Sequence, residues 1–271
     1  MSSRQGAQRA HTRSLRFIPQ LDSTHRMLCR SSTSCSSFTV RLPNGDTREL
    51  EFSLRTSDVA PLFSEVWLGT EVWPAAMTLI NILEASPWPQ RLARARHVVE
   101  LGAGTGACGL AAAALGAPSV TVTDMPSLLE QIENNVQANS LEHLVRTEAL
   151  TWARVLPAGS CSSGADIVLM SDCLNAIYGE QHAQCLAATL HALLRRAVER
   201  DGSTHEEQMA LTAGSIHEEQ HTPIGLLSQT RRGEGAAEAQ FFAACSALGM
   251  KHTLLYTAPG SALVEVFSIR L

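Results

Sequence analysis

A chain of 271 residues and 29.2 kDa, with 45% hydrophobic and 17% charged residues and a mean hydropathy of +0.01, has ordinary globular composition and the length for one large domain or two small ones. Its net charge of −5, from 21 basic and 26 acidic residues, argues against a generally basic nucleic-acid binder. The longest apolar run, residues 107–117, is alanine-rich and too short to span a bilayer, so no membrane segment is expected.

Residues 1–36 carry six arginines and one aspartate, a net of +5, which leaves −10 for the other 235 residues. This head is Ser-rich and aperiodic. It reads as a disordered arm, or as an organelle transit peptide, which is Arg- and Ser-rich and acid-poor. The seven cysteines are an odd number without a CxxC pair. Free thiols in a reducing compartment fit them better than a disulfide framework, and the expected location is the cytoplasm unless the head is a transit peptide.

Order is expected from Phe38. Residues 38–42 and 50–54 alternate apolar and polar around Asn44-Gly45, the strongest short hairpin signal, giving an N-terminal hairpin within 37–55. Pro74 suits a first helical turn, and Ala75, Ala76, Leu79, Ile80 and Leu83 then share one face. From His97 the pattern alternates: strands over 97–101, 119–123, 146–150, 166–170 and 224–229, and helices over 108–115, 127–139, 181–199 and 234–248. Residues 252–256 and 263–269 flank Pro259-Gly260 as a closing antiparallel hairpin. The implied architecture is α/β, a Rossmann-like seven-stranded, mostly parallel sheet with helices on both faces and an antiparallel last strand. Residues 199–223 fit no element. They hold a near-repeat, Gly202-Ser-Thr-His-Glu-Glu-Gln208 and Gly214-Ser-Ile-His-Glu-Glu-Gln220, read as a solvated insertion rather than a metal site despite His205, His217 and His221.

The strongest chemical signal is Glu100-Leu-Gly-Ala-Gly-Thr-Gly106, between a strand and a helix. Its three glycines let the backbone turn tightly against a ligand, and the following helix should aim free N–H groups at it. Asp124 ends the next strand, where an acid accepts hydrogen bonds from ribose hydroxyls. A dinucleotide fingerprint can be threaded through Gly102, Gly104 and Ala107. Glu100 argues against it, because a carboxylate is unwelcome beside a pyrophosphate and welcome beside an ammonium or sulfonium group. S-adenosylmethionine carries both cations and is the expected cofactor.

Residues 100–106, Thr123-Asp-Met-Pro-Ser127 and Asn134-Asn-Val-Gln-Ala-Asn139 resemble the seven-strand, class I methyltransferases. More narrowly, they resemble methyltransferase family 16, the methyltransferase-like 21 group of protein lysine methyltransferases, over about residues 38–271. Gly69-Thr-Glu-Val-Trp-Pro-Ala-Ala76, Leu150-Thr-Trp152, Thr230-Arg-Arg232 and Ala239-Gln-Phe-Phe242 extend the likeness. The resemblance implies cofactor contacts at Trp73, Glu100, Gly102, Gly104, Thr105, Gly106, Asp124, Met125, Trp152 and Ser171, and no metal. It departs at the end of strand four, where the family carries Asp-x-x-Tyr or Phe. Here Asp172 is kept, Asn175 replaces the aromatic, and Tyr178 follows three residues later.

The expected activity is therefore methyl transfer to a lysine of a protein, by a monomer. A lysine acceptor has to be neutral, and with a free pKa of ~10.4 only about one in a thousand is neutral at pH 7. A partly apolar channel lowers that value by desolvation. Asp172 is assigned to orienting the acceptor amine, Asn175 to positioning it by hydrogen bonding, and Tyr178 to lining the channel. Two other readings stand beside this one: another acceptor, such as a histidine ring or a small metabolite, and a binding module without turnover.

Overall fold

Asn44-Gly45 forms the turn its residues dictate. Gly45 sits at φ +90°, its N–H donates to the Leu42 carbonyl at 3.0 Å, and Asn44 Oδ1 accepts from Asp46 N–H at 3.1 Å. Strands β2 (Cys35–Arg41) and β3 (Thr47–Ser53) pair across it, with Phe38 stacked on Phe52 at 5.0 Å between ring centroids. A two-residue strand, β1 (Leu28–Cys29), pairs with β2, so strand pairing begins before Phe38 and the expected hairpin is the larger part of a three-stranded sheet. This computed structural model describes residues 28–29, 35–53, 71–156, 161, 163–200, 222–233, 235–259 and 263–271. Most of the 1–36 arm and of the 199–223 insertion, with His205, His217 and His221, lies outside the described residues.

Helix α1 (Pro74–Glu84) starts at Pro74 and buries all five residues of the expected face, with Ile82 as well. A short helix, α2 (Trp88–Arg94), follows that the periodicity does not announce. Then come β4 (Val98–Leu101), α3 (Ala107–Ala114), β5 (Val120–Asp124), a 3-10 turn at Pro126–Leu128, α4 (Leu129–Ala138), β6 (Val145–Ala149), β7 (Ile167–Ser171), α5 (Gly179–Arg200), β8 (Ile224–Thr230), α6 (Ala236–Ala247), β9 (Lys251–Ala258) and β10 (Val264–Arg270).

The main sheet has the order β6-β5-β4-β7-β8-β10-β9. Strands β4 to β8 run parallel, and β10 is antiparallel to both β8 and β9. The closing hairpin inserts its second strand beside β8 and leaves β9 at the edge. Alternation along the strands feeds two cores. Val98, Ile167 and Leu169 join α1, α3, α4 and the N-terminal sheet, while Val99, Leu101, Val168 and Met170 join α5 and α6. The chain winds outward from β4 to β6, then crosses back to place β7 on the other side of β4. That reversal opens a crevice beyond the carboxyl ends of β4 and β7, where doubly wound sheets bind ligands. Among the described residues no helix is long and apolar enough to cross a membrane.

Candidate active site

A cavity of about 320 Å³ occupies this crevice, walled by segments that leave β4, β5, β6 and β7 and by Trp73 just ahead of α1. Gly102 turns the chain out of β4 at φ +62°. A Cβ there would stand 2.7 Å from Trp152 Cζ2, so only glycine lets the loop pass beneath the indole. Gly102, Gly104 and Thr105 line the cavity. Gly106 does not; it precedes α3 and packs toward Leu110 and Ile132.

Glu100 differs from expectation. Its Oε1 accepts from Cys108 N–H at 3.3 Å and its Oε2 from Gly109 N–H at 2.7 Å. The first-turn amides of α3 are therefore spent on a carboxylate of the chain's own rather than aimed at a ligand. Burial raises the Glu100 carboxyl to about 8 in spite of these donors. Gly109 lacks a Cβ because one would meet Glu100 Oε2 at 2.7 Å and Val122 at 2.6 Å.

Asp124 closes β5 with both oxygens engaged. Oδ2 accepts from Gly104 N–H and Oδ1 from Met125 N–H, each at 2.7 Å, and burial raises its pKa. Each oxygen retains a lone pair for a further donor. Met125 and Ser171 line the cavity beside it. Asn135 ties the same loop from below, donating through Nδ2 to the Thr105 carbonyl at 2.9 Å. The far wall is aromatic: His182 packs against Trp152 and Tyr178, with centroids 4.6 Å apart in each pair.

At the end of β7, Asp172 adopts φ +54°, uncommon for a residue other than glycine. Its backbone N–H donates to the Ser228 carbonyl at 2.8 Å. Its carboxylate, assigned above to an acceptor amine, is held by this protein's own donors. Oδ1 accepts from Thr230 N–H at 3.1 Å and from Gln229 Nε2 at 3.2 Å, and Arg232 grips both oxygens, at 2.8 and 2.6 Å. Asn175 caps the following 3-10 turn, its Oδ1 accepting from Ile177 N–H at 3.2 Å, and Tyr178 closes that turn against His182.

The structure thus brings every expected residue except Gly106 to one cavity. It adds His182, Cys173, Glu71 and Arg232. His182 stands four residues after Tyr178, a helical spacing that pairs neighbours on one face. Arg232 belongs to the Thr230-Arg-Arg232 segment of the family likeness, but nothing local in the sequence tells that its partner is Asp172, sixty residues earlier.

A model of the lysine methyltransferase family matches residues 64–200. Protein N-lysine methyltransferase METTL21A of Xenopus tropicalis is 30% identical over 162 residues, 58% of this chain and 68% of that protein. EEF1A lysine methyltransferase 3 of Mus musculus is 36% identical over 127 residues, covering 45% of this chain and 53% of that protein. Across the curated relatives the chain spans about half their length. The fold is that of SMU.776, a structure complexed with SAH, with a TM-score of 0.51 and 14% identity, covering 90% of this chain and 58% of the other.

Proposed function

The chain belongs to the lysine methyltransferase family, and from that premise we propose that it transfers a methyl group from S-adenosylmethionine to a lysine side chain of a protein. The observation that carries this reading is the convergence of Gly102, Asp124 and Trp152 on one cavity. The residues fit the cofactor. The cradle excludes a Cβ at Gly102, the spare lone pairs of Asp124 suit paired ribose hydroxyls, and the Trp152 ring offers a flat wall for a base.

When bound, the cofactor supplies an electrophilic methyl on a sulfonium. The protein's own residues align donor and acceptor, an effect that can contribute about 7–11 kcal/mol. Asp124 would hold the sugar, Trp73 and Met125 would wall the donor, and the Gly102–Thr105 loop would line its seat. At the acceptor end Asp172 Oδ2 receives an amine N–H, Asn175 positions the amine through Nδ2, and Tyr178 lines the approach. Asn175 in the place of the family aromatic favours a second reading, an acceptor with a planar nitrogen such as a histidine ring.

The protein substrate, a monomeric state and a cytoplasmic location belong to the same proposal. Support comes from the net charge of −5 and from the free thiols of Cys108, Cys161, Cys173, Cys185 and Cys245. Incubation with methyl-tritiated S-adenosylmethionine and a cell lysate tests the reading. Label recovered as methyllysine in a protein band is expected. Label in methylhistidine or in a small molecule, or no label, refutes it. Asp124→Ala should weaken calorimetric cofactor binding by about 1–3 kcal/mol.

A further inference from the structure

The bonds of Asp172 are unevenly shared. Its backbone N–H and its Oδ1 are held by Ser228, Thr230 and Gln229, none of which reaches Oδ2. Among the described residues, Oδ2 accepts from Arg232 Nη2 alone. If the guanidinium leaves, three bonds still fix the residue, and the one oxygen uncovered belongs to a residue of the cavity wall. Arg232 is built to leave. Its side chain is 40% exposed, against 5% for that of Asp172. It precedes Gly233, at φ +54° with open space on its Cβ side, and Gly235 at φ +71°. Glu238, in the first turn of α6, already adds to the field that holds its charge and offers a second carboxylate.

We propose that Arg232 is a specificity latch: its guanidinium occupies the seat of the acceptor ammonium on Asp172 Oδ2, and an acceptor amine enters by displacing it toward Glu238. This rests on the amine methyltransferase reading above. Exchange of one cation for another keeps the nearly buried carboxylate paired while the acceptor enters, which a hydroxyl or carboxylate acceptor could not do. Once seated, the amine is held in its ammonium form by the carboxylate, and the nearby charge of the displaced guanidinium opposes that hold, easing loss of the proton to solvent before the lone pair reacts.

The probe is n-butylamine, a lysine side chain without its backbone, added to the full chain saturated with S-adenosylmethionine. In tritium transfer to the probe, Arg232→Gln lowers the half-saturating amine concentration about five-fold, because the seat no longer has to be vacated. Calorimetric cofactor affinity stays unchanged. A second readout needs no turnover. The guanidinium nitrogen-15 signal that Arg232→Lys removes from the spectrum is held in slow rotation by the bidentate pair, and loses that restraint as n-butylammonium is added. A half-saturating concentration that rises in Arg232→Gln, or a guanidinium that keeps its restraint at saturating probe, overturns the latch. Failure of the underlying reading looks different: no cofactor binding and no label on any amine, while a guanidinium that yields to n-butylammonium still supports the latch.

Discussion

Replacing Gly102 by alanine separates what the loop does for the fold from what it does for the cofactor. The backbone there has φ +62°, where a Cβ costs about 1–2 kcal/mol. That strain is local and lowers the thermal midpoint by about 2–8 °C, at 2–4 °C per kcal/mol for a domain this size. The new methyl would also stand 2.7 and 3.1 Å from two carbons of the Trp152 ring and 3.2 Å from Cys173 Sγ. An indole cannot bend, so it rotates as a body. His182 packs against it, and the cavity it lines is the space left to it. Overpacking of about 1–3 kcal/mol then appears as a loss of S-adenosylmethionine affinity of about 5- to 150-fold. The assay is calorimetry and thermal melting on Gly102→Ala, Trp152→Leu and the double variant. With the ring gone, Gly102→Ala should cost stability but little affinity. An equal affinity loss in both backgrounds refutes the route through Trp152.

Glu100 gives a pH dependence. Its folded-state pKa of about 8 lies above the ordinary 4.5, so the folded chain keeps a proton that the unfolded chain releases. That contribution is full below about pH 4.5 and is lost as pH rises toward 8. Glu100→Gln removes the titrating group, at the cost of turning its NH2 toward one N–H of Cys108 or Gly109, and should flatten the fall in thermal midpoint between about pH 5 and 8; an unchanged slope contradicts the assignment. Asn135→Asp keeps an oxygen for the Ser53 N–H but faces the Thr105 carbonyl with another oxygen. It should cost about 1–3 kcal/mol in urea unfolding, and a change within error would show that the amide does not support the loop.

Sequence period was enough for the parallel core because its central strands are short apolar runs, such as Val98–Leu101 and Ile167–Ser171, that alternate with helical segments. Boundaries moved by one or two residues, as at β6, which the pattern places at 146–150 and the structure at Val145–Ala149. The seven-residue α2 escaped because it spans too few turns for a period to register. At the site, Asp124 and the Gly102 turn were legible because strand-end position alone sets their surroundings. The partners of Glu100 and Asp172 were not. Glu100 answers to amides eight and nine residues on, and Asp172 to the end of β8 and the loop after it, both joined only by the fold.

Asn135 and Asn139 do for β3 what a neighbouring strand would do. Asn139 exchanges two hydrogen bonds with the Glu51 backbone, at 2.9 and 2.7 Å, and Asn135 takes the Ser53 N–H at 2.8 Å. Glu51 and Ser53 alternate along the side of β3 turned away from β2. Their outward backbone groups would otherwise invite pairing with a second molecule. By imitating the peptide with side-chain amides, α4 blunts that edge without adding a strand. The two asparagines thus protect the molecule against self-assembly while they seat the small sheet on the large one.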